Sequence, residues 1–512
     1  MRLSRYTLKN IQAGVTSIPA PEIFDLPEKV LQFGTGVLLR ALPDYFIDKA
    51  NKQGVFNGRI VVVKSTEGGD SVSFDKQDGL YTICVRGIEN GNKVEENIIC
   101  SSISRVLSAR KEWNKILECA HNPLLQVIIS NTTELGIELV NENILSHPPV
   151  SFPGKLLAFL YERYKAFSGS RMCGMVIVPT ELIPENGRKL ESIVLELAYL
   201  NGLDETFIDW LENSNRFCNS LVDRIVPGKP GTSIQSGIET ELGFEDELIT
   251  VCEVYRLWAI EGDKEISDIL SFSGIDSGIV ITEDIGLYRE LKLRLLNGTH
   301  TISCAAAFLS GFSTVKEAMD DEKLCHFINV LMNTEIASAI PYTIDNKMSE
   351  NFAARVMERF GNPHIEHKWL DITLQYSSKM RMRIIPVLVQ YFQNFGRVPE
   401  NISTGFAAFL LFMKSVKTEG GICYGLLNGK YYPIRDEKAA YFGEKWKLVE
   451  PTALTYSILK DISLWGQDLS LLPGFAELVS EKLEEMMIHG VAAGIELSDR
   501  DKIPLYYETK ST

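Results

Sequence analysis

Four short apolar runs decide most of what this chain can fold into. They open or fill "KVLQFGTGVLLR" (Lys29–Arg40), "RIVVVKS" (Arg59–Ser65), "LLQVIIS" (Leu124–Ser130) and "GMVIVPT" (Gly174–Thr180). The second is continuous and β-branched, and none of the four shows strict alternation. A strand with one wet face alternates, so unbroken runs indicate strands covered on both faces, as in a parallel sheet between helix layers. Helical patterns fall among them: "ALPDYFIDKANKQG", which Pro43 is placed to kink, then "WNKILECA" and "KLLAFLYERYKAF". Such alternation predicts a doubly wound α/β sheet. "LYTICVRGIENGNKVEENIIC" departs from it, with two alternating runs about Asn90-Gly91, and predicts an antiparallel hairpin.

After roughly Ile285 strand candidates become few. "TISCAAAFLSGFSTVKEAM", "CHFINVLMNTEIASAI", "GFAAFLLFMKSV" and "FAELVSEKLEEMMIHG" carry helical periodicity instead. The predicted fold class is α/β: a Rossmann-like doubly wound sheet with additions over residues 1–285, then a mostly α-helical domain over 286–512. Two domains also suit a chain of 512 residues, which is long for one core.

The first run leads into Gly34-Thr35-Gly36 and then a helical pattern. In a dinucleotide-binding turn the first glycine permits the tight bend, and the second lets backbone approach a pyrophosphate at the helix start. The usual third glycine falls at Leu39, and a plain βα turn has the same outline. No acidic residue for a ribose ends the second run. Lys64 and Ser65 stand there, with Glu67 and Asp70 beyond, so NADP stays open alongside NAD. "SNTTE" (Ser130–Glu134) ends the third run, where a cofactor crevice belongs or where an ordinary strand-end turn would sit.

"YRELKLRLLNGTHT" (Tyr288–Thr301) sets Lys292, Asn297 and His300 beside Gly298. On an α-helix Asn297 lies about 140°, and His300 about 80°, from Lys292. The trio suits metal-free carbonyl reduction, in which a lysine of depressed pKa moves the proton. Asparagine and histidine would then hydrogen-bond the oxygen on which charge develops. The same residue types also suit a solvated helix face and a helix end. Gly298, costly inside a helix, signals close packing or a nearby ligand.

A formal net charge of −15 argues against a nucleic-acid partner. The apolar run "FAAFLLFM" from Phe406 is too short for a membrane span, and "MRLSRYTLKN" lacks a signal-peptide core, so no membrane partner and a cytoplasmic location are expected. Nine scattered cysteines without a CxxC pair indicate buried thiols rather than a disulfide framework or zinc site. His364 and His367 have metal-ligand spacing but no third ligand, so no metal is expected. "KYYPIR" (Lys430–Arg435) reads as packing or a hairpin, and "EKLEEMM" (Glu481–Met487) as a solvated helix face.

Lys-x4-Asn-Gly-x-His resembles the signature of the polyol-specific long-chain dehydrogenases, the mannitol dehydrogenase family. "QFGTGVLLRA", "FCNSLVDRIVPG" (Phe217–Gly228), "GNPHIEH" (Gly361–His367) and "SSKMRMRIIP" (Ser377–Pro386) extend the likeness in order along the chain. The resemblance implies an NAD-dependent oxidoreductase acting on a small sugar acid. It implies Lys292 as general acid/base, with Asn297 and His300 on the reacting oxygen. Asp223 and Lys379 would line the substrate pocket. Lys379, Arg381 and Arg383 are candidates for a carboxylate, although a solvated basic face explains the arginines equally. The cofactor would lie along Leu31, Gln32, Phe33, Gly34, Thr35, Gly36, Val37, Leu38, Leu39, Arg40, Ala41 and Leu42, with Asn131, Thr132 and Glu134. Two departures argue against mannitol as substrate. Leu182, in "TEL" ahead of Pro184, replaces an asparagine that touches substrate in the mannitol branch, and Asp371 replaces an arginine. A nucleotide-binding regulator without catalysis is the reading from another class, and it would bind NADH without turnover.

Overall fold

The computed structural model describes residues 1–12, 14, 16–65, 71–132, 136–447 and 450–495. The chain divides into two compact units: Met1–Gly87 with Lys93–Ile285, and Ile88–Asn92 with Gly286–Thr512.

The first unit is built on β1 (Glu28–Phe33), β2 (Arg59–Lys64), β3 (Ile103–Ser108), β4 (Val127–Ser130), β5 (Val176–Pro179) and β6 (Arg216–Phe217). Their order is β3-β2-β1-β4-β5-β6, with every neighbouring pair parallel. The order reverses between β1 and β4, which makes the carboxyl ends of these strands a topological switch point. Burial explains the missing alternation. Val30, Val62, Ile129 and Val178 join one core with Phe46 and Ile47 of helix Pro43–Lys52. Leu31, Val61, Ile128 and Ile177 join another, with Leu156 and Phe159 of helix Phe152–Ala166 and Leu190 of helix Asn186–Leu200. Successive residues of one strand thus feed opposite helix layers.

The predicted hairpin is present as Tyr81–Glu89 and Asn92–Cys100, turning at Asn90 and Gly91 with φ of 53° and 76°. Positive φ at both positions is what a tight hairpin turn demands. Thr250–Glu253 pairs parallel to it from Ile83. Pro43 does break the first helix: Leu42 has φ −128° and ψ −77° between helices Val37–Ala41 and Pro43–Lys52.

The second unit is mostly helical. "FAAFLLFM" lies in helix Glu400–Phe412, whose Phe406, Phe409, Leu410 and Phe412 are fully buried, so it is apolar all round because it is a core helix. Among the described residues no helix is long and apolar enough to cross a membrane. "KYYPIR" contributes strand Lys430–Ile434 to an antiparallel hairpin. Glu481 and Glu484 face water from helix Phe475–His489 while Leu483 and Met486 are buried. Seven of the nine free cysteines are buried.

Candidate active site

The glycine turn follows directly from the end of β1. Gly34 donates its amide to the Val63 carbonyl (3.0 Å) and adopts φ +128°, a region glycine alone enters cheaply. A Cβ there would stand 2.8 Å from Leu39 Cδ1 and 2.9 Å from the Asn131 carbonyl oxygen. Leu39, fully buried, therefore occupies the space that Gly34 leaves, which accounts for the absent third glycine. Gly36 is exposed, and a Cβ on it would meet nothing within 4 Å. An open backbone face at a strand-to-helix turn fits a pyrophosphate. Leu31, Phe33, Leu39, Ala41 and Leu42 are fully buried, so they hold the turn rather than offering side chains to a ligand. Arg40 is buried too, donating to the Leu248 carbonyl with its guanidinium 5.4 Å from the Tyr81 ring centre.

A polar network lies beneath the turn. Gln32 donates to the Gly34 carbonyl (3.3 Å), and the Tyr81 hydroxyl donates to Asp44 Oδ2 (3.0 Å). Burial pushes the Asp44 carboxyl up to about 7, against the opposing hydrogen bonds of Tyr81 and Gln32.

At the end of β4, Asn131 donates to Thr180 Oγ1 (3.0 Å) and to its carbonyl (3.1 Å). Thr132 donates its amide (2.9 Å) and hydroxyl (3.0 Å) to Glu181, which also accepts from Ser130 (3.1 Å). Burial raises the Glu181 carboxyl above its ordinary range despite these donors. "TEL" thus braces the strand end through Glu181, while Leu182 is exposed. Asn186 ties the following turn together, donating to the carbonyls of Pro179, Glu181 and Ser220. Lys64 ends β2; Glu67, Asp70 and Glu134 lie outside the described residues.

The Lys–Asn–His segment differs from the α-helix expected of it. Lys292–Gly298 is a π-helix, set between α-helices Gly286–Leu291 and Thr299–Leu309. Its hydrogen bonds reach back five residues, so positions five apart face the same side. Lys292 and Asn297 are five apart. The winding brings them to one face instead of opening the α-helical angle of about 140°, and His300 follows within about 60° of Asn297. Gly298 explains nothing here: its φ is −64°, and a Cβ would make only ordinary contacts at 3.5–3.9 Å.

His300 is buried, stacked on Phe360 at 4.0 Å and edge-on to His367 at 4.9 Å. Its Nε2 is buried without a hydrogen-bond partner, as expected of an atom reserved for a ligand. Burial, then the positive fields of His367, Arg359, Arg383 and Lys379, hold the imidazole well below its ordinary value, so it is neutral. Lys379 is also lowered by burial and by Arg383, and its Nζ donates to the Ile372 carbonyl (2.9 Å). Arg383 donates to Thr301 Oγ1 (3.0 Å). Lys292, Asn297, His300, Lys379 and Arg383 thus share the second unit. Arg381, in the same unit, is exposed and donates to the Ser463 carbonyl (3.4 Å). Asp371 is exposed beside Arg435. Asp223 is buried in the first unit at the end of strand Ser220–Asp223, opposite Leu257. Arg294, absent from the sequence reading, is a buried cation on the π turn; its signal was an arginine inside an apolar "LRLL" run.

A sheet in 3-2-1-4-5-6 order with a glycine turn, followed by a helical unit carrying a lysine, is the architecture of a Rossmann-type dehydrogenase. Residues 28–271 match the mannitol dehydrogenase Rossmann domain, and 284–487 match the mannitol dehydrogenase C-terminal domain. The chain belongs to the mannitol dehydrogenase family and is an oxidoreductase acting on CH–OH groups. It is 37% identical to an altronate oxidoreductase of Halalkalibacterium halodurans, over 92% of this chain and 93% of that one. It is 38% identical to an altronate oxidoreductase of Bacillus subtilis, over 92% and 95%. Among solved structures, Pseudomonas fluorescens mannitol 2-dehydrogenase, in ternary complex with NAD and D-mannitol, shares the fold with TM-score 0.66 and 22% identity, over 97% of this chain and 99% of that one. A D-sorbitol dehydrogenase shares it with TM-score 0.78 and 20% identity, over 96% and 100%.

Proposed function

We propose that this chain interconverts D-tagaturonate and D-altronate with NAD(H), as a cytoplasmic enzyme of hexuronate breakdown. The observation that carries this reading is the likeness to altronate oxidoreductases across 92% of the chain. The local residues agree with it, since exposed Leu182 and Asp371 supply neither polar contact that the resemblance assigns to the mannitol branch.

NAD(H), held by its pyrophosphate at the Gly34–Gly36 turn, would supply hydride to the ketone or accept it from the alcohol. Lys292 moves the proton at the substrate oxygen. Asn297, on the same face of the π turn, hydrogen-bonds that oxygen as negative charge grows. His300 contributes as a neutral donor, because burial and neighbouring cations keep a second proton off its ring. Within the second unit, Lys379 and Arg383 supply positive charge for the substrate carboxylate.

One panel tests the substrate: NADH or NADPH with tagaturonate, fructuronate or fructose, following loss of reduced cofactor. Fastest turnover is expected on tagaturonate with NADH. Faster turnover on fructose would sink the uronate reading, and on fructuronate would move it to the sister reaction. Lys292→Ala is expected to lower kcat by about 10²–10⁴-fold. A near-normal rate would remove the catalytic assignment.

A further inference from the structure

Two π segments of the second unit, Lys292–Gly298 and Met380–Ile384, carry Lys292, Asn297 and Arg383, with His300 and Lys379 in the α-helices that adjoin them, and two arginines are exchanged between the segments. The second segment has a backbone deficit. The Ile385 amide bonds back five residues to the Met380 carbonyl, after which the chain resumes α winding. The Met382 carbonyl should then accept from residue 386, which is proline and has no N–H. Met382 itself is exposed, but its carbonyl faces Arg294 in a part-buried contact, and a carbonyl partly shielded from water without a donor is costly.

Arg294 supplies the missing donor. Its Nη1 lies 2.6 Å from the Met382 oxygen and 3.0 Å from the Arg383 oxygen. Its Nε donates to Glu290 one turn back (2.9 Å), so the charge of this buried guanidinium is paired. The return contact comes from Arg383, whose Nη1 donates to Thr301 Oγ1 (3.0 Å) and approaches the Asn297 carbonyl (3.5 Å). Thr301 in turn donates to that carbonyl (2.7 Å). The circuit closes on the peptide that carries Asn297.

We propose that Arg294 is a positioning residue: by capping the Met382 carbonyl that Pro386 leaves bare, it fixes the π turn bearing Lys292 and Asn297 in register with the segment bearing Lys379 and Arg383. Arg294 touches no reacting atom; it acts through the placement of others. The inference rests on the proton-transfer reading above. A misplacement of about 1 Å costs roughly 10²-fold in rate.

The test uses full-length Arg294→Met and Arg294→Lys, each with and without Pro386→Ala, assayed with NADH and tagaturonate. Arg294→Met should lower kcat by about 10²-fold while the KM for NADH stays near wild type, since the glycine turn belongs to the first unit. Arg294→Lys should fall between, because a point-like ammonium lacks the planar fork that puts Nε on Glu290 and Nη1 on the two carbonyls. Pro386→Ala restores an amide N–H opposite Met382, so in either Arg294 background it should recover much of the lost kcat while changing the wild type little. Near-normal kcat in both Arg294 variants would overturn the proposal. So would losses that follow the thermal midpoint without recovery by Pro386→Ala. If Arg294→Met does not fold, Arg294→Lys carries the same comparison. Lys292→Ala separates the layers: near-normal turnover in that variant removes the underlying reading, whereas its inactivity beside active Arg294 variants removes only this one.

Discussion

Gly34 and Gly298 each sit inside a turn of the candidate site, and they are there for different reasons. Gly34 occupies a backbone region closed to other residues, with a carbonyl oxygen 2.9 Å from where a Cβ would be. Gly298 has ordinary helical φ and room for a methyl group. The first turn departs from regular structure because of its own residues. The second carries contacts from far along the chain: Arg383 reaches the Asn297 carbonyl (3.5 Å) and the neighbouring Thr301 hydroxyl (3.0 Å). A departure caused by residue type is written where it occurs; one held by distant contacts is not.

The sharpest test of the first half is Gly34→Ala. Backbone strain at φ +128° costs about 1–3 kcal/mol, and the added methyl must also displace Leu39 or the Asn131 backbone. NADH affinity, followed by quenching of protein fluorescence, should fall at least tenfold, and the thermal midpoint should drop. Unchanged NADH affinity would show that the turn does not seat the nucleotide.

An effect on stability alone is expected beneath that turn, at Asp44. Its folded carboxyl is raised to about 7 by burial, above its ordinary value of 3.8. Below the unfolded value both states are protonated and nothing is lost. Between the two values only the unfolded state ionises, so stability falls as pH rises, and above about 7 the loss is complete. Asp44→Asn mimics the protonated form. Its stability advantage over wild type in urea should therefore grow from pH 4.5 to 7 and level off, reaching on the order of a few kcal/mol. A pH-independent difference would mean that Asp44 is ionised in the fold, and that the network under Gly34 is charged.

The contrast also marks how far the sequence could be read. The parallel sheet was legible because Val61, Val62 and Val63 all need cover, and only helices on both faces give it. The hairpin was legible because Asn90-Gly91 tolerates positive φ. The Lys292–His300 spacing was legible as a resemblance, but its geometry was not. A 100° wheel assumes bonds four residues back, and nothing in "KLRLLNG" announces five. Arg294 reads as one more helix cation until Met382 and Pro386 are brought to it. Nothing in "TEL" announces that Glu181 accepts from Ser130 and Thr132.

Gly298→Ala is the smallest expected change and the most direct probe of the second half. With φ already helical, alanine loses less conformational freedom on folding and should stabilise the unit by about 0.5–1 kcal/mol. The methyl would meet Leu293, Ile384 and Arg383 at 3.5–3.9 Å, within ordinary contact, so kcat and both KM values should stay within a few-fold of wild type. A large rise in the substrate KM alone would reverse the comparison. It would mean that substrate approaches the backbone at residue 298 more closely than a Cβ allows, making this glycine, like Gly34, a matter of space. A large fall in kcat at unchanged KM would say something else: that the π turn is only marginally favoured, and that a better helix former at 298 draws Lys292 and Asn297 back toward α winding and off their common face.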